Sequence, residues 1–165
     1  MKVINMEYRQ AIETDIPEIV QKRIQFLHEY HQGLSERYLG QLIPKLQAYF
    51  EKHLNKNMMA YIAADETARV CSVALLLVLE KPPRPAFMNG RTGLILNVYT
   101  EPEFRRFGMG KRLMEMLLCD ARSMELDYVE LTATADGYPL YQQLGFHEEI
   151  PETVPMKLRL RTEDI

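Results

Sequence analysis

An apolar run, Leu94 to Thr100, stops at Glu101-Pro102 and gives way to Arg105-Arg106-Phe107-Gly108-Met109-Gly110. A helical pattern follows at once, with Leu113, Met114, Leu117, Leu118 and Ala121 on one face and Lys111, Arg112, Glu115 and Arg122 on the other. Tyr128–Thr134 then alternates, with Val129, Leu131 and Ala133 on one side. A strand–helix–strand unit over 94–134 predicts a right-handed parallel crossover. The glycine-bearing turn at the start of the helix is also a device for holding phosphate. First-turn N–H groups have no intrahelical acceptor, and the helix dipole adds positive charge there. Glycine lets a ligand come close to the backbone.

The chain of 165 residues is long enough for one domain, read as 1–165, with a real core. A net charge of −3 lacks the basic excess of a dedicated nucleic-acid binder. No apolar run approaches the ~18 residues of a membrane span, and Met1–Glu7 lacks the apolar core of a secretory signal. Cys71 and Cys119 fit neither a metal spacing nor a disulfide framework. Both read as buried thiols in a reducing compartment, and the expected location is cytoplasmic.

Before the turn, Tyr8–Ala11 reads as a short strand. Thr14 or Asp15 can cap a helix that carries Pro17 in its first turn and runs to about Tyr30. Ser35 can cap a second helix, marked by Leu39, Leu42, Ile43, Leu46, Tyr49 and Phe50. Pro44 inside it predicts a kink or a break around Gln41. Met59–Ala64 and Val70–Leu79 read as strands, the second apolar enough to be covered on both faces. Lys81–Pro85 ends it, and Asn89-Gly90 signals a turn. After Thr134, Pro139 and Gly145 frame a helix of about two turns. Val154–Arg161 alternates and reads as a last strand, with Pro155 favouring a sheet edge. The order is β-α-α-β-β-β-α-β-α-β, an α/β or α+β sheet with helices on both faces.

Two stretches then become recognisable. Val98-Tyr99-Thr100-Glu101-Pro102 with Arg105–Gly110 resembles the acyl-CoA pyrophosphate loop of the GNAT N-acetyltransferase superfamily, Arg or Gln, two residues, Gly, one residue, Gly or Ala. Leu140-Tyr141-Gln142-Gln143-Leu144-Gly145-Phe146 resembles the family's short helix closing in Gly-Phe. The element order resembles the family's as well. The resemblance implies a mixed, mostly antiparallel sheet of about six to seven strands with a parallel central pair. It implies acetyl-CoA as co-substrate, no metal, and a small-molecule or peptide amine as acceptor. It is compatible with a homodimer, and it brings in neither nucleic acid nor membrane.

Residue by residue, the resemblance has the backbones of Val98 and Thr100 pairing with the pantetheine arm like an added strand. It places the amides of Arg106, Phe107, Gly108, Met109, Gly110 and Lys111 around the pyrophosphate. Arg105 marks the start of the loop, contacting phosphate or fixing the turn. Tyr141 is the implied general acid for the leaving thiolate, and the Val98 N–H a candidate oxyanion donor. Many members carry Asn and Ala seven and four residues before the tyrosine, where this chain has Thr134 and Gly137. Leu94–Thr100 holds no acid to act as a base; Glu101 follows it, and the other routes are a water relayed by polar groups such as Asn97 or Thr132, or no base at all.

The quieter readings stand beside these. Asn97 interrupts a buried strand, as a bulge residue or as a polar group facing substrate. His28 and His31 suit a solvated helix end, and Lys157, Arg159 and Arg161 a solvated face or a subunit contact. The whole chain reads as an N-acetyltransferase acting on a primary amine, with two alternatives. One is a non-catalytic acyl-CoA sensor or interaction module, and the other transfers a longer acyl group. Glu29 and Glu36 give 28–38 an acidic tint that favours a cationic acceptor.

Overall fold

The chain opens with β1 (Glu7–Gln10), α1 (Ile16–Tyr30) and α2 (Glu36–His53). Three long strands follow, β2 (Met58–Ala64), β3 (Val70–Glu80) and β4 (Arg91–Thr100). They lead through α3 (Met109–Ser123) to a short β5 (Val129–Glu130) and to α4 (Tyr138–Gln143). This computed structural model describes residues 5–31 and 33–161. The reading of Met1 to Ile4 lies outside the described residues. The chain packs as two compact units that part after Leu131.

The first unit is built on one sheet in the order β1-β2-β3-β4-β5, antiparallel throughout except for the β4–β5 pair. β2 is buried along its whole length because both its faces are covered. Met58, Ala60 and Ile62 join Ile16, Ile19, Val20 and Phe50 of α1 and α2 in one cluster. Tyr61, pointing the opposite way by strand alternation, donates its hydroxyl to Asp120 Oδ2 of α3 at 2.8 Å. Helices on both faces of a mixed sheet are what the apolar runs of β2 and β3 demand.

α1 starts at the expected position, but neither Thr14 nor Asp15 caps it through a side chain. Asp15 precedes it, and its carboxylate accepts from Ile12 N–H at 2.8 Å and takes both Arg9 nitrogens at 2.7 and 2.9 Å. Ser35 Oγ caps α2 by accepting from Tyr38 N–H. α2 is not broken at Gln41, since it runs as one helix through Pro44. Pro44 and Gly40 both lie on the exposed face, where the carbonyl deprived of its partner is left to solvent.

Five other expectations are corrected. The described residues hold five strands rather than six to seven, and the parallel pair closes one end of the sheet instead of lying at its centre. Tyr128–Thr134 contributes a strand only at Val129–Glu130, because its ladder ends at Leu94↔Glu130. Val154–Arg161 forms no strand, and Val154, Met156, Leu158 and Leu160 are all exposed. Alternation makes a strand only where another strand supplies hydrogen-bond partners. Cys119 is exposed, unlike Cys71, since α3 buries positions 113, 114, 117, 118 and 121 and turns 119 outward.

The second unit contains α4 and irregular backbone on either side of it. No helix among the described residues is long and apolar enough to cross a membrane.

Candidate functional site

β4 changes its pairing parity part-way along. Leu75 pairs with Leu96, but Val73 pairs with Tyr99, so Asn97 and Val98 together oppose Ala74. This is a bulge of two residues against one, and Asn97 takes φ 49° to make it. Asparagine tolerates that left-handed region better than most residues. The side chains register the shift too, because Leu96 and Tyr99 both pack on the α1/α2 side although they stand three positions apart.

The bulge decides where the backbone points. Gly93 N–H donates to Tyr128 O, so odd positions face β5 at the start of β4. Glu101 N–H donates to Cys71 O of β3, so beyond the bulge the odd positions face β3. Val98 and Thr100 therefore direct their backbone groups away from β3, toward the side on which the β4–β5 ladder has already ended. The strand arrives at the turn with an edge that no described strand occupies.

A 3-10 turn, Pro102–Phe104, carries the chain to Arg105 and the loop. Arg106 has φ 70° and Gly108 has φ 78°, which together swing the chain into α3. The first intrahelical bond runs from Arg112 N–H to Gly108 O, leaving the amides of Met109, Gly110 and Lys111 without an intrahelical acceptor. A Cβ on Gly108 would meet nothing within 4 Å, so its role is the left-handed turn and an open approach to the loop. α1 and α2 each carry a glutamate in the first turn, Glu18 and Glu36, but α3 carries no acid there. Its positive end is left uncompensated by the chain. Arg106, Phe107 and Lys111 are exposed around it, and Met109 is buried beneath.

Arg105 fixes the turn. Its Nε donates to Thr100 O at 2.9 Å, and its Nη2 sits 2.6 and 2.8 Å from the two oxygens of Glu29. Tyr99 also donates its hydroxyl to Glu29, and burial together with that carboxylate pushes the phenol up to about 12. Glu29 is thereby neutralised, and the acidic tint expected over 28–38 loses one of its two members. Glu101, the acid nearest the strand, is buried with one oxygen taken by Lys22 at 2.6 Å and the other by Arg69. Both lone-pair faces are occupied by cations, so it is a structural ion pair and no free base.

In the second unit, α4 ends in a Schellman motif. Phe146 N–H donates to Tyr141 O and Gly145 N–H to Gln142 O, with Gly145 at φ 93°. The motif brings the Phe146 ring against Tyr141 edge-on, with centroids 5.9 Å apart. On the other side, a Cβ at Gly137 would lie 2.9 Å from Tyr141 Cε2. Phe146 and the missing side chain at 137 thus set the half-buried tyrosine ring. The Gly-Phe ending is the signal for this in the sequence, whereas the need for Gly137 was not legible there.

Residues 56–148, more than half of the chain, match the model of the acetyltransferase (GNAT) domain. The chain belongs to the GNAT acetyltransferase family. A crystal structure of a predicted acetyltransferase with acetyl-CoA, from Clostridium acetobutylicum, is similar at TM-score 0.79 and 26% identity, over 93% of this chain and 96% of that one. A GCN5-related N-acetyltransferase from Ralstonia eutropha JMP134 shares the fold at TM-score 0.70 and 23% identity, over 92% of this chain and 99% of that one. The uncharacterized N-acetyltransferase YitH of Bacillus subtilis (strain 168) is 36% identical over 61 residues, which are 37% of this chain and 21% of that protein. The residues that match the GNAT domain model include both the bulge at Asn97-Val98 and the loop of residues 105–110 at the start of α3.

Nothing in the sequence marks Lys22 or Arg23 as part of this site, and Glu29 enters there only as half of an acidic tint. All three lie on α1, where only the folded chain brings them to the end of β4. A charged residue on a helix gives no sign in the sequence of which distant strand it meets.

Proposed function

We propose that the chain is an acetyl-CoA-dependent N-acetyltransferase that acts on a primary amine, working as a single domain over 1–165. The observation that carries this reading is the bulge at Asn97-Val98, which turns the backbone groups of Val98 and Thr100 to an edge that no described strand occupies, leading into the acid-free start of α3. An extended polar arm that ends in a pyrophosphate fits that combination, since the edge takes main-chain-like hydrogen bonds and the helix end takes the charge. The residues present therefore suit acetyl-CoA.

In this reading the amides of Arg106, Phe107, Gly108, Met109, Gly110 and Lys111 hold the pyrophosphate, and Val98 and Thr100 hold the pantetheine arm. Arg105 keeps the loop in shape through Thr100 and Glu29. Acetyl-CoA supplies the activated acetyl group; the net change moves that group from sulfur to nitrogen, with the thiol gaining a proton and the amine losing one. The Val98 N–H is the donor for the carbonyl oxygen as charge develops on it. Tyr141 holds at its hydroxyl the proton that the leaving sulfur takes. With Glu101 committed to Lys22 and Arg69, no carboxylate is assigned as base, and a neutral amine enters directly.

Tyr141→Phe tests the assignment. The variant is expected to bind CoA with unchanged affinity by calorimetry and to release CoA thiol about 100-fold more slowly, in the range of a lost general acid. Unchanged turnover removes Tyr141 from the mechanism. Binding of CoA without turnover across a broad amine panel supports the non-catalytic sensor instead, and no binding of acetyl-CoA or CoA sinks both readings.

A further inference from the structure

The bulge of β4 faces α1, and the groups that meet there are unbalanced. Arg23 is half-buried beside the Phe26 ring, and its one side-chain hydrogen bond among the described residues is a long one, 3.4 Å from Nη1 to Asn97 Oδ1. It has no carboxylate within ion-pair distance among the described residues, in contrast to Lys22, Arg69 and Arg105 on the same side. Burial pushes the guanidinium below its ordinary value, and no anion offsets the effect. Asn97 is 5% exposed, and its Nδ2 is buried without a partner. A guanidinium only donates, so Asn97 must turn Oδ1 toward Arg23, which leaves its amide N–H groups as donors.

Two donor groups therefore meet at the bulge, one of them charged, with no further acceptor for them among the described residues. An unpaired buried donor costs about 1–3 kcal/mol, and the half-buried guanidinium beside it is partly desolvated with no counter-ion among the described residues. Gln25 Oε1 is an unpaired acceptor on the same helix, but it stands two positions on and so on a different face from Arg23. A ligand that completes this site has to bring acceptor oxygens and negative charge. The planar fork of Arg23 with an amide N–H beside it suits the two oxygens of a carboxylate. Asn97 is also adjacent in the chain to Val98, whose backbone faces the proposed reacting centre, so the anion lies close to the acetylated nitrogen.

We propose that Arg23 and Asn97 form a subsite for a carboxylate on the acceptor, so that the substrate is an amine that carries its own carboxylate, such as an amino acid or a small peptide. The proposal rests on the acetyltransferase reading above and names its substrate class. It replaces the cationic acceptor suggested by Glu29, which is spent on Arg105 and Tyr99.

Matched acceptors test it, each amino acid being compared with its amide and with an amine bearing a phosphate in place of the carboxylate. The carboxylate member is expected to have the lowest KM. Arg23→Gln is expected to raise that KM about ten- to hundredfold, the range of a charged hydrogen bond, and to leave the acetyl-CoA KM unchanged. Asn97→Asp provides a second route, because it sets a carboxylate of the chain against Arg23. That variant is expected to melt at a higher temperature and to lose the preference for carboxylate acceptors. Equal turnover of acid and amide, preference for the phosphate, or an equal loss for all acceptors in Arg23→Gln overturns the subsite. Calorimetric titration of the same compounds, with and without CoA, decides the matter if no amine is turned over. In that event the acetyltransferase reading falls, while carboxylate-dependent binding that Arg23→Gln abolishes still upholds the subsite. Binding indifferent to the carboxylate, or no binding, overturns it.

Discussion

Glu101 closes β4, and the cost of burying its carboxylate is met by two cations from different elements. Lys22 of α1 is 1% exposed and Glu101 is 3% exposed, so neither charge has recourse to water. Removing one partner strands the other in the interior, which costs about 3–5 kcal/mol. Glu101→Leu is expected to be the worse single change, because Lys22 would be left with Glu18 at 3.8 Å. Replacing both residues, Lys22→Met with Glu101→Leu, is expected to recover most of the loss, since the pair gives way to apolar groups of similar size. Urea unfolding of the two single variants and the double variant checks this, and additive losses would show that the two residues do not act as a pair.

α3 illustrates how much of an element the sequence can specify. Its apolar stripe predicts the buried face, and that face is the one observed. Its end is less obvious, because the chain leaves the helix through Glu125 at φ 54°, a position where glycine is usual. Leu126 N–H donates to Ala121 O and Glu125 N–H to Arg122 O, so the helix closes in a Schellman motif despite the glutamate. Glu125→Gly is expected to stabilise the protein by about 1 kcal/mol, the strain of a left-handed residue less the added freedom of glycine in the unfolded chain. The urea midpoint should rise at unchanged slope. A fall in stability would mean that the glutamate side chain contributes more than its backbone costs. The bulge in β4 is the opposite case, since Asn97 could be read as a bulge residue or as a polar group facing substrate. It is both a bulge and a buried donor, and only pairing with β3 reveals the first.

Acid stability is a property of the folded molecule as a whole. Asp15 joins β1 to α1, and its carboxyl lies below the ordinary value because of the hydrogen bond from Arg9, with burial opposing and the Ile12 N–H adding to it. A depressed carboxylate contributes stability above its unfolded value, near pH 4, and loses it as pH falls through the folded value. Asp15→Asn is therefore expected to lower the melting temperature at neutral pH, and the gap to the parent should narrow below about pH 4. A gap that stays constant into acid would remove Asp15 from the acid transition.

The sequence by itself determined the local features. Periodicity placed the helices and the central strands, Ser35 placed the start of α2, and the loop and Gly-Phe motifs pointed to the family. Each of these depends on residues close together in the chain. The tertiary structure decided what depends on distant partners. It stopped β5 at Glu130, left Val154–Arg161 without a ladder, turned Val98 to a free edge through the bulge, and committed Glu29 and Glu101 to cations. A strand needs a neighbour and a charge needs a counter-charge, and in this chain the residues of α1 meet those of β4 across about seventy positions of sequence. Arg23 is the clearest instance, a basic residue on a helix until the fold sets it beside Asn97 with no carboxylate in reach among the described residues.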